Sequence, residues 1–279
     1  MSRLSRAVGE AARTLAAAGV PSPRHDAEEL AAYVLGVTRG DLWRHDEVAD
    51  GYADAVARRA AREPLQHITG RTAFRHVEVR VGPGVFVPRP ETEVVAGAAV
   101  EAARAAGPAP VVVDLCTGSG AIALAGADEV PGARVHAVES ESAALGWARL
   151  NLAGSPVDLR AGDMAAAFTD LDGEVDVVVS NPPYIPVGAH VRDPEVADHD
   201  PAPALWSGPD GLDAIRVVER VAARLLRTGG CVVVEHADLQ GESAPAVFAV
   251  AGGWVEVRDH ADLAGRPRFV TARRGERQP

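Results

Sequence analysis

Asn181-Pro182-Pro183-Tyr184 combines an amide, two ring-locked backbone units and an aromatic hydroxyl. That set suits a flat group carrying an NH2. Consecutive prolines fix φ and remove two N–H donors, leaving backbone carbonyls to face a ligand. An NH2 has two donors; the side-chain carbonyl of Asn181 and the backbone carbonyl of Pro182 can accept both, while Tyr184 stacks on the plane. A nitrogen held this way can be turned towards an electrophile, with positioning and electrostatics supplying the catalysis and no strong general base required. The plainer alternative is a Pro-rich turn that ends a strand, with an aromatic ring packed behind it.

The electrophile is suggested by Asp114-Leu115-Cys116-Thr117-Gly118-Ser119-Gly120-Ala121-Ile122-Ala123. Its glycines let a ligand approach the backbone without meeting a Cβ. Gly118-x-Gly120-x-x-Ala123 also satisfies the dinucleotide fingerprint, in which a pyrophosphate rests on a helix N-terminus. Asp114 favours a different nucleoside: a carboxylate beside the turn repels a pyrophosphate but attracts the ammonium and sulfonium charges of S-adenosyl-L-methionine. As a structural residue, Asp114 would instead cap the helix or brace the turn. Glu139, closing the next strand, can accept ribose hydroxyls in either class of enzyme. Asp163 can bond an adenine amine with Met164 packed on the ring, or the pair can be an Asx turn beside a core methionine.

The elements around these residues alternate. Apolar positions such as Leu15, Val20, Leu30 and Val34 recur at helical spacing over residues 1–62 and predict a small helical bundle. Residues 63–90 predict a β-hairpin linker, with alternation in His76-Val77-Glu78-Val79-Arg80-Val81 and a turn at Gly82-Pro83-Gly84. Residues 91–279 predict an α/β catalytic domain, with strands near 111–115, 134–139, 157–161, 175–179 and 231–235 separated by helices. Two strand-like segments, Trp254–Val257 and Arg268–Thr271, have no helix between them and predict an antiparallel closing pair. The polar tail from Arg274 is expected to fray.

Composition narrows the function. A net charge of -11 disfavours direct nucleic-acid binding, which rests on Lys and Arg meeting phosphates. The two cysteines, Cys116 and Cys231, stand apart from any His/Cys cluster and read as core thiols, with no metal site implied. With no basic-apolar leader and no apolar run of membrane-spanning length, the chain reads as cytoplasmic.

Beyond Asn181-Pro182-Pro183-Tyr184-Ile185-Pro186, several segments resemble the protein-(glutamine) methyltransferases of peptide chain release factors, the HemK/PrmC family. They are Pro64-Leu65-Gln66-His67-Ile68-Thr69-Gly70, Pro88-Arg89-Pro90-Glu91-Thr92-Glu93, Gly208-Pro209-Asp210-Gly211-Leu212-Asp213, Glu235-His236 with Gln240-Gly241, and Asp262-Leu263-Ala264-Gly265-Arg266-Pro267-Arg268. The resemblance spans nearly the whole chain. It implies a Rossmann-like class I S-adenosylmethionine-dependent methyltransferase with a seven-stranded sheet and an N-terminal helical substrate domain. The implied acceptor is the glutamine of the Gly-Gly-Gln motif in release factors, which would place the enzyme in translation termination.

Carried over by position, Asp114, Cys116, Thr117, Gly118, Ser119, Gly120, Glu139, Asp163, Met164 and Asn181 would line the cofactor. Asn181, Pro182, Pro183 and Tyr184 would hold the glutamine, with Phe86 and the Arg89-to-Thr92 segment, Glu91 included, near the pocket. Three positions depart from the family pattern: Cys116 stands for a usual glycine, Glu139 where Asp is common, and Met164 for a frequent Trp. Cys116 is small enough if its φ is negative, whereas a positive φ weighs against the cofactor assignment. The same clamp also suits an exocyclic amine of adenine or guanine, whose base must be extruded to be modified. A non-catalytic protein that keeps the fold is a further alternative.

Overall fold

The structure is a computed structural model that describes residues 2–276. The chain forms two compact units, and the expected fraying of residues 277–279 falls outside the described part.

The first unit runs to Arg71 and also takes in Val191–His199. Its helices are α1 (Arg3–Ala17), α2 (Pro23–Leu35), α3 (Tyr52–Ala60) and α4 (Leu65–Thr69). Ser2 caps α1 by accepting from the Ser5 N–H at 3.1 Å. Buried Leu4, Val8, Ala11 and Leu15 form one helical stripe on α1 and share a core with Leu30, Tyr52 and Ile68. The unit outlasts the expected boundary at residue 62, because Pro64 leads into α4 and left-handed Gly70 ends it. The hairpin is correspondingly shorter than residues 63–90.

A later stretch returns to this unit. Helix α8 (Pro194–His199) places Glu195, 6% exposed, against Arg59 at 2.8 Å and against Arg62. Arg59 also pairs with buried Asp26 at 2.7 Å.

The second unit begins with the hairpin β1 (Arg71–Phe74) and β2 (Val77–Arg80) and continues through α5 (Pro90–Ala106). There follow β3 (Val111–Leu115), α6 (Ala121–Glu129), β4 (Arg134–Glu139), α7 (Ser142–Leu152), β5 (Asp158–Ala161) and β6 (Val175–Ser180). The last elements are α9 (Asp213–Leu225), β7 (Leu226–Glu235), α10 (Ser243–Ala251), β8 (Trp254–Ala261) and β9 (Pro267–Arg274). Seven strands lie in the order β5-β4-β3-β6-β7-β9-β8, with parallel pairing as far as β7 and β9 antiparallel to both neighbours. Arg274 belongs to β9 and donates to the Gly253 carbonyl at 2.7 Å, so the tail does not fray there.

Burial explains the apolar runs. Val111, Val113 and Leu115 of β3 face one core with α9 and α10, whereas Val112 faces the other with α5, α6 and α7. A strand covered on both faces reads as a continuous apolar run, and each buried valine contributes about 1.5–2 kcal/mol. That burial fixes where the strand ends, and hence where the loops with the chemistry begin.

Candidate active site

Strand β3 lies between β4 and β6, so the chain order reverses there and the carboxyl ends of β3 and β6 frame a crevice. Leu115 and Ser180 are register partners, and Ser180 Oγ donates to the Leu115 carbonyl at 2.6 Å. The glycine-rich turn and the Asn181 tetrapeptide therefore leave neighbouring strand ends about 4.8 Å apart.

The turn is made of left-handed backbone. Gly118 and Gly120 have φ of 58° and 84°, and an added Cβ on Gly120 would meet Leu152 Cγ at 3.1 Å. A Cβ on Gly118 would meet nothing within 4 Å, so the backbone there is open to close approach. Cys116 also lies in the left-handed region, with φ of 61°. The condition of a negative φ is thus not met, and the residue carries strain of about 1 kcal/mol where a glycine would carry none. Its Sγ sits 3.4 Å from Met164 Sδ, which brings the loop after β5 against the turn after β3. Burial pushes the Cys116 thiol pKa up, so the thiol stays protonated.

Asp114 is fully buried. Its Oδ2 accepts from Thr117 Oγ1 at 2.5 Å, whereas Oδ1 has no hydrogen-bond partner among the described residues. Burial pushes its pKa up to about 7, against the pull of the Thr117 hydroxyl and the Ala123 N–H in the first turn of α6. Asp114 thus braces the turn and also leaves a buried oxygen whose charge lacks a cation. Glu139 divides its carboxylate, with Oε2 accepting from the Gly118 N–H at 2.8 Å and Oε1 from the Glu141 N–H at 2.9 Å. Each oxygen keeps a lone pair for a hydroxyl. Asp163 is exposed, and its Oδ1 accepts from the Ala165 N–H at 2.8 Å, making it the cap of the short turn through Met164. Thr117 and Ser119 are buried; the Thr117 N–H donates to the Val138 carbonyl at 3.0 Å, and the Ser119 carbonyl accepts from Asn151 Nδ2 at 2.9 Å.

The tetrapeptide is braced from behind. Asn181 Nδ2 donates to Thr92 Oγ1 at 3.2 Å, and the Tyr184 hydroxyl donates to Glu235 Oε1 at 3.1 Å. Gln240 Nε2 donates to the Tyr184 carbonyl at 3.0 Å. A Cβ on Gly211 would come within 2.4 Å of that same carbonyl, so the glycine is needed for the close approach. Burial raises the pKa of Tyr184, and Glu235 raises it further. Pro182 is buried, and Pro183 is half-buried. Phe86 and Arg89 form their own group: the guanidinium lies 5.2 Å from the Phe86 ring and pairs with Asp200 at 2.8 Å. Glu91 points to Arg266 at 3.8 Å.

Sequence reasoning assigned no role to Glu235 and placed Thr92 only near the pocket. Glu235-His236 already stood among the segments resembling the family, but its link to Tyr184 is a tertiary contact without a local signal.

A buried acidic oxygen, an open glycine and a second carboxylate set on backbone N–H groups fit a cationic nucleoside better than a pyrophosphate. When bound, S-adenosylmethionine supplies an electrophilic methyl group on its sulfonium. Sheet order and turn together define a class I S-adenosylmethionine-dependent methyltransferase.

Residues 6–70 match the PrmC N-terminal domain and residues 77–194 the methyltransferase small domain. The chain is 61% identical to a release factor glutamine methyltransferase of Streptomyces coelicolor, over 98% of this chain and 99% of that protein. It is also 44% identical to a 4-amino-L-phenylalanine/4-methylamino-L-phenylalanine methyltransferase of Streptomyces pristinaespiralis, over 90% of this chain and 89% of the other. Among solved structures, a methyltransferase from Pyrococcus furiosus aligns with a TM-score of 0.51 at 17% identity, covering 71% of this chain and 89% of its own, a likeness of fold. The chain belongs to the release factor glutamine methyltransferase family and is a methyltransferase that uses S-adenosylmethionine. No helix among the described residues is long and apolar enough to cross a membrane.

Proposed function

We propose that this enzyme methylates the side-chain amide nitrogen of the glutamine in the Gly-Gly-Gln motif of peptide chain release factors. The observation that carries the reading is the Leu115–Ser180 register. It puts the turn after β3 beside the loop after β6, which supports a nitrogen held by the loop facing a methyl donor at the turn. In this reading Asn181 Oδ1 and the Pro182 carbonyl accept the two amide protons, and Pro183 and Tyr184 shape the slot. Gly118, Ser119 and Gly120 border the cofactor, with Cys116 and Met164 beside them. Asp114 offsets the cofactor's positive charge from beneath the turn, Glu139 takes its ribose hydroxyls and Asp163 its adenine amine. Phe86, Arg89 and Glu91 flank the acceptor. Division of the chain into a helical substrate-recognition domain and a catalytic domain belongs to the same proposal.

A second reading is favoured by one observation, the relative from Streptomyces pristinaespiralis that methylates an aromatic amine. The compounds in its name carry an amino or methylamino group on a flat ring, which the same clamp would hold. Methyl transfer from labelled S-adenosylmethionine decides between the readings, with a purified release factor, its Gln-to-Ala variant in Gly-Gly-Gln, 4-amino-L-phenylalanine and a nucleic-acid control as acceptors. Label on the intact factor alone supports the proposal; label on the free amino acid or on nucleic acid overturns it.

A further inference from the structure

Asn181 and Tyr184 face the acceptor, but the groups that orient them lie on other elements. Asn181 Nδ2 donates to Thr92 Oγ1, and the Tyr184 hydroxyl donates to Glu235 Oε1. Thr92 is 4% exposed and Glu235 1% exposed. The Thr92 hydroxyl lies against the same carboxyl and draws its pKa down.

A carboxylate only accepts hydrogen bonds. The hydroxyl proton of Thr92 therefore turns to Glu235, and its lone pair is left for a donor. On the Asn181 side the donor is the NH2, so the amide carbonyl must point the other way. Tyr184 is polarised from the same source, because its proton also goes to Glu235.

Building on the amide-methylation reading, we propose that Glu235 and Thr92 are positioning residues. They fix the hydrogen-bond direction at the acceptor site, holding the Asn181 NH2 inward and its carbonyl outward to receive an N–H of the acceptor amide. A neutral Glu235 could donate to Thr92, allowing the Thr92 proton to turn to Asn181 and the amide to present the wrong end.

The arrangement depends on pH through the buried Glu235 carboxyl. Burial pushes the Glu235 pKa up to about 7, while Thr92, Arg268 on β9 and Tyr184 pull it down and Glu91 on α5 pushes it up. Arg268 also feels Asp262, and Arg89 acts on Tyr184. The ionised form that orients the network is therefore lost as pH falls through about 7.

The test uses the full-length enzyme with Thr92→Val, Thr92→Ser, Glu235→Gln and the wild type, and three readouts: methyl transfer to the release factor across pH, equilibrium binding of S-adenosylmethionine, and the Asn181 side-chain amide signal by NMR. Thr92→Val and Glu235→Gln are expected to lower kcat about tenfold, leave cofactor Kd within about twofold and shift the Asn181 signal. Thr92→Ser, which keeps the hydroxyl, should recover most of that rate, and Glu235→Gln should abolish the decline in kcat below pH 7. An Asn181 signal unmoved in Thr92→Val and Glu235→Gln overturns the inference, as does equal loss of cofactor binding and turnover. Failure of the wild type to label the release factor sinks the substrate assignment instead, and the NMR readout then still decides the orientation of Asn181.

Discussion

The turn after β3 and the loop after β6 start from paired residues, yet they are built by opposite means. The turn after β3 is local: left-handed Gly118 and Gly120, with the Asp114 carboxylate bound to the Thr117 hydroxyl and the Glu139 carboxylate to the Gly118 N–H. The loop after β6 is held by long-range contacts. Asn181 rests on a hydroxyl 89 residues earlier and Tyr184 on a carboxylate 51 residues later. Backbone therefore shapes the turn after β3, and side chains from distant elements brace the loop after β6. Loss of one side chain should accordingly damage the two sites differently.

The largest effect is expected from Asn181→Ala, which should lower kcat about 100-fold with cofactor Kd nearly unchanged, because an oriented polar contact at the reacting group is lost. Steady-state kinetics beside calorimetric binding of S-adenosylmethionine checks this, and a parallel loss of binding would place Asn181 in the cofactor site. Gly120→Ala should do the reverse. A φ of 84° and a Cβ 3.1 Å from Leu152 both oppose the alanine. Destabilisation of about 2 kcal/mol is expected, with weakened cofactor binding. Thermal melts and binding curves measure it, and an undisturbed variant would break the contrast.

A smaller effect should appear with pH. Asp114 is ionised only above about 7, since burial raises its pKa. A cationic ligand should therefore bind up to about tenfold more weakly at pH 6 than at pH 8, with the dependence flattened in Asp114→Asn. For the ligand-free fold the sign is opposite: the contribution of a carboxyl with a raised pKa is fully present below its unfolded pKa and lost as pH rises through about 7. Binding and melting temperature measured over the same range would show both trends, and a flat binding curve for the wild type would remove Asp114 from the cofactor's electrostatics. Smallest of all, Cys116→Gly should gain about 0.5–1 kcal/mol, as relief of left-handed strain is partly offset by the entropy of glycine. A denaturant titration would detect it, and a destabilised variant would show that the Met164 contact outweighs the strain.

Legibility in the sequence follows the same division. β3, the glycine turn and β4 could be read because their signals are contiguous: an apolar run, two glycines and a closing acid. The pair β8 and β9 was also readable as helix-free, but the insertion of β9 between β7 and β8 has no local signal. Nor could the sign of φ at Cys116 be read, since a small side chain is compatible with either region until the turn around it is known. The contacts of Thr92 and Glu235 were hidden for the same reason as the pairing of α8: the partners lie far apart in sequence and meet only in the folded chain.

Helix α8 has an implication for how the molecule can be taken apart. The chain passes from one unit to the other near residues 71, 190 and 199, so the helical unit is drawn from two separate stretches of sequence. A fragment starting at Thr72 would still carry Glu195 but not Arg59 or Arg62, leaving a carboxylate stripped of its guanidinium partners. Moving the helical unit between relatives therefore requires two cuts of sequence to travel together, the leading helices and the nine-residue return segment Val191–His199.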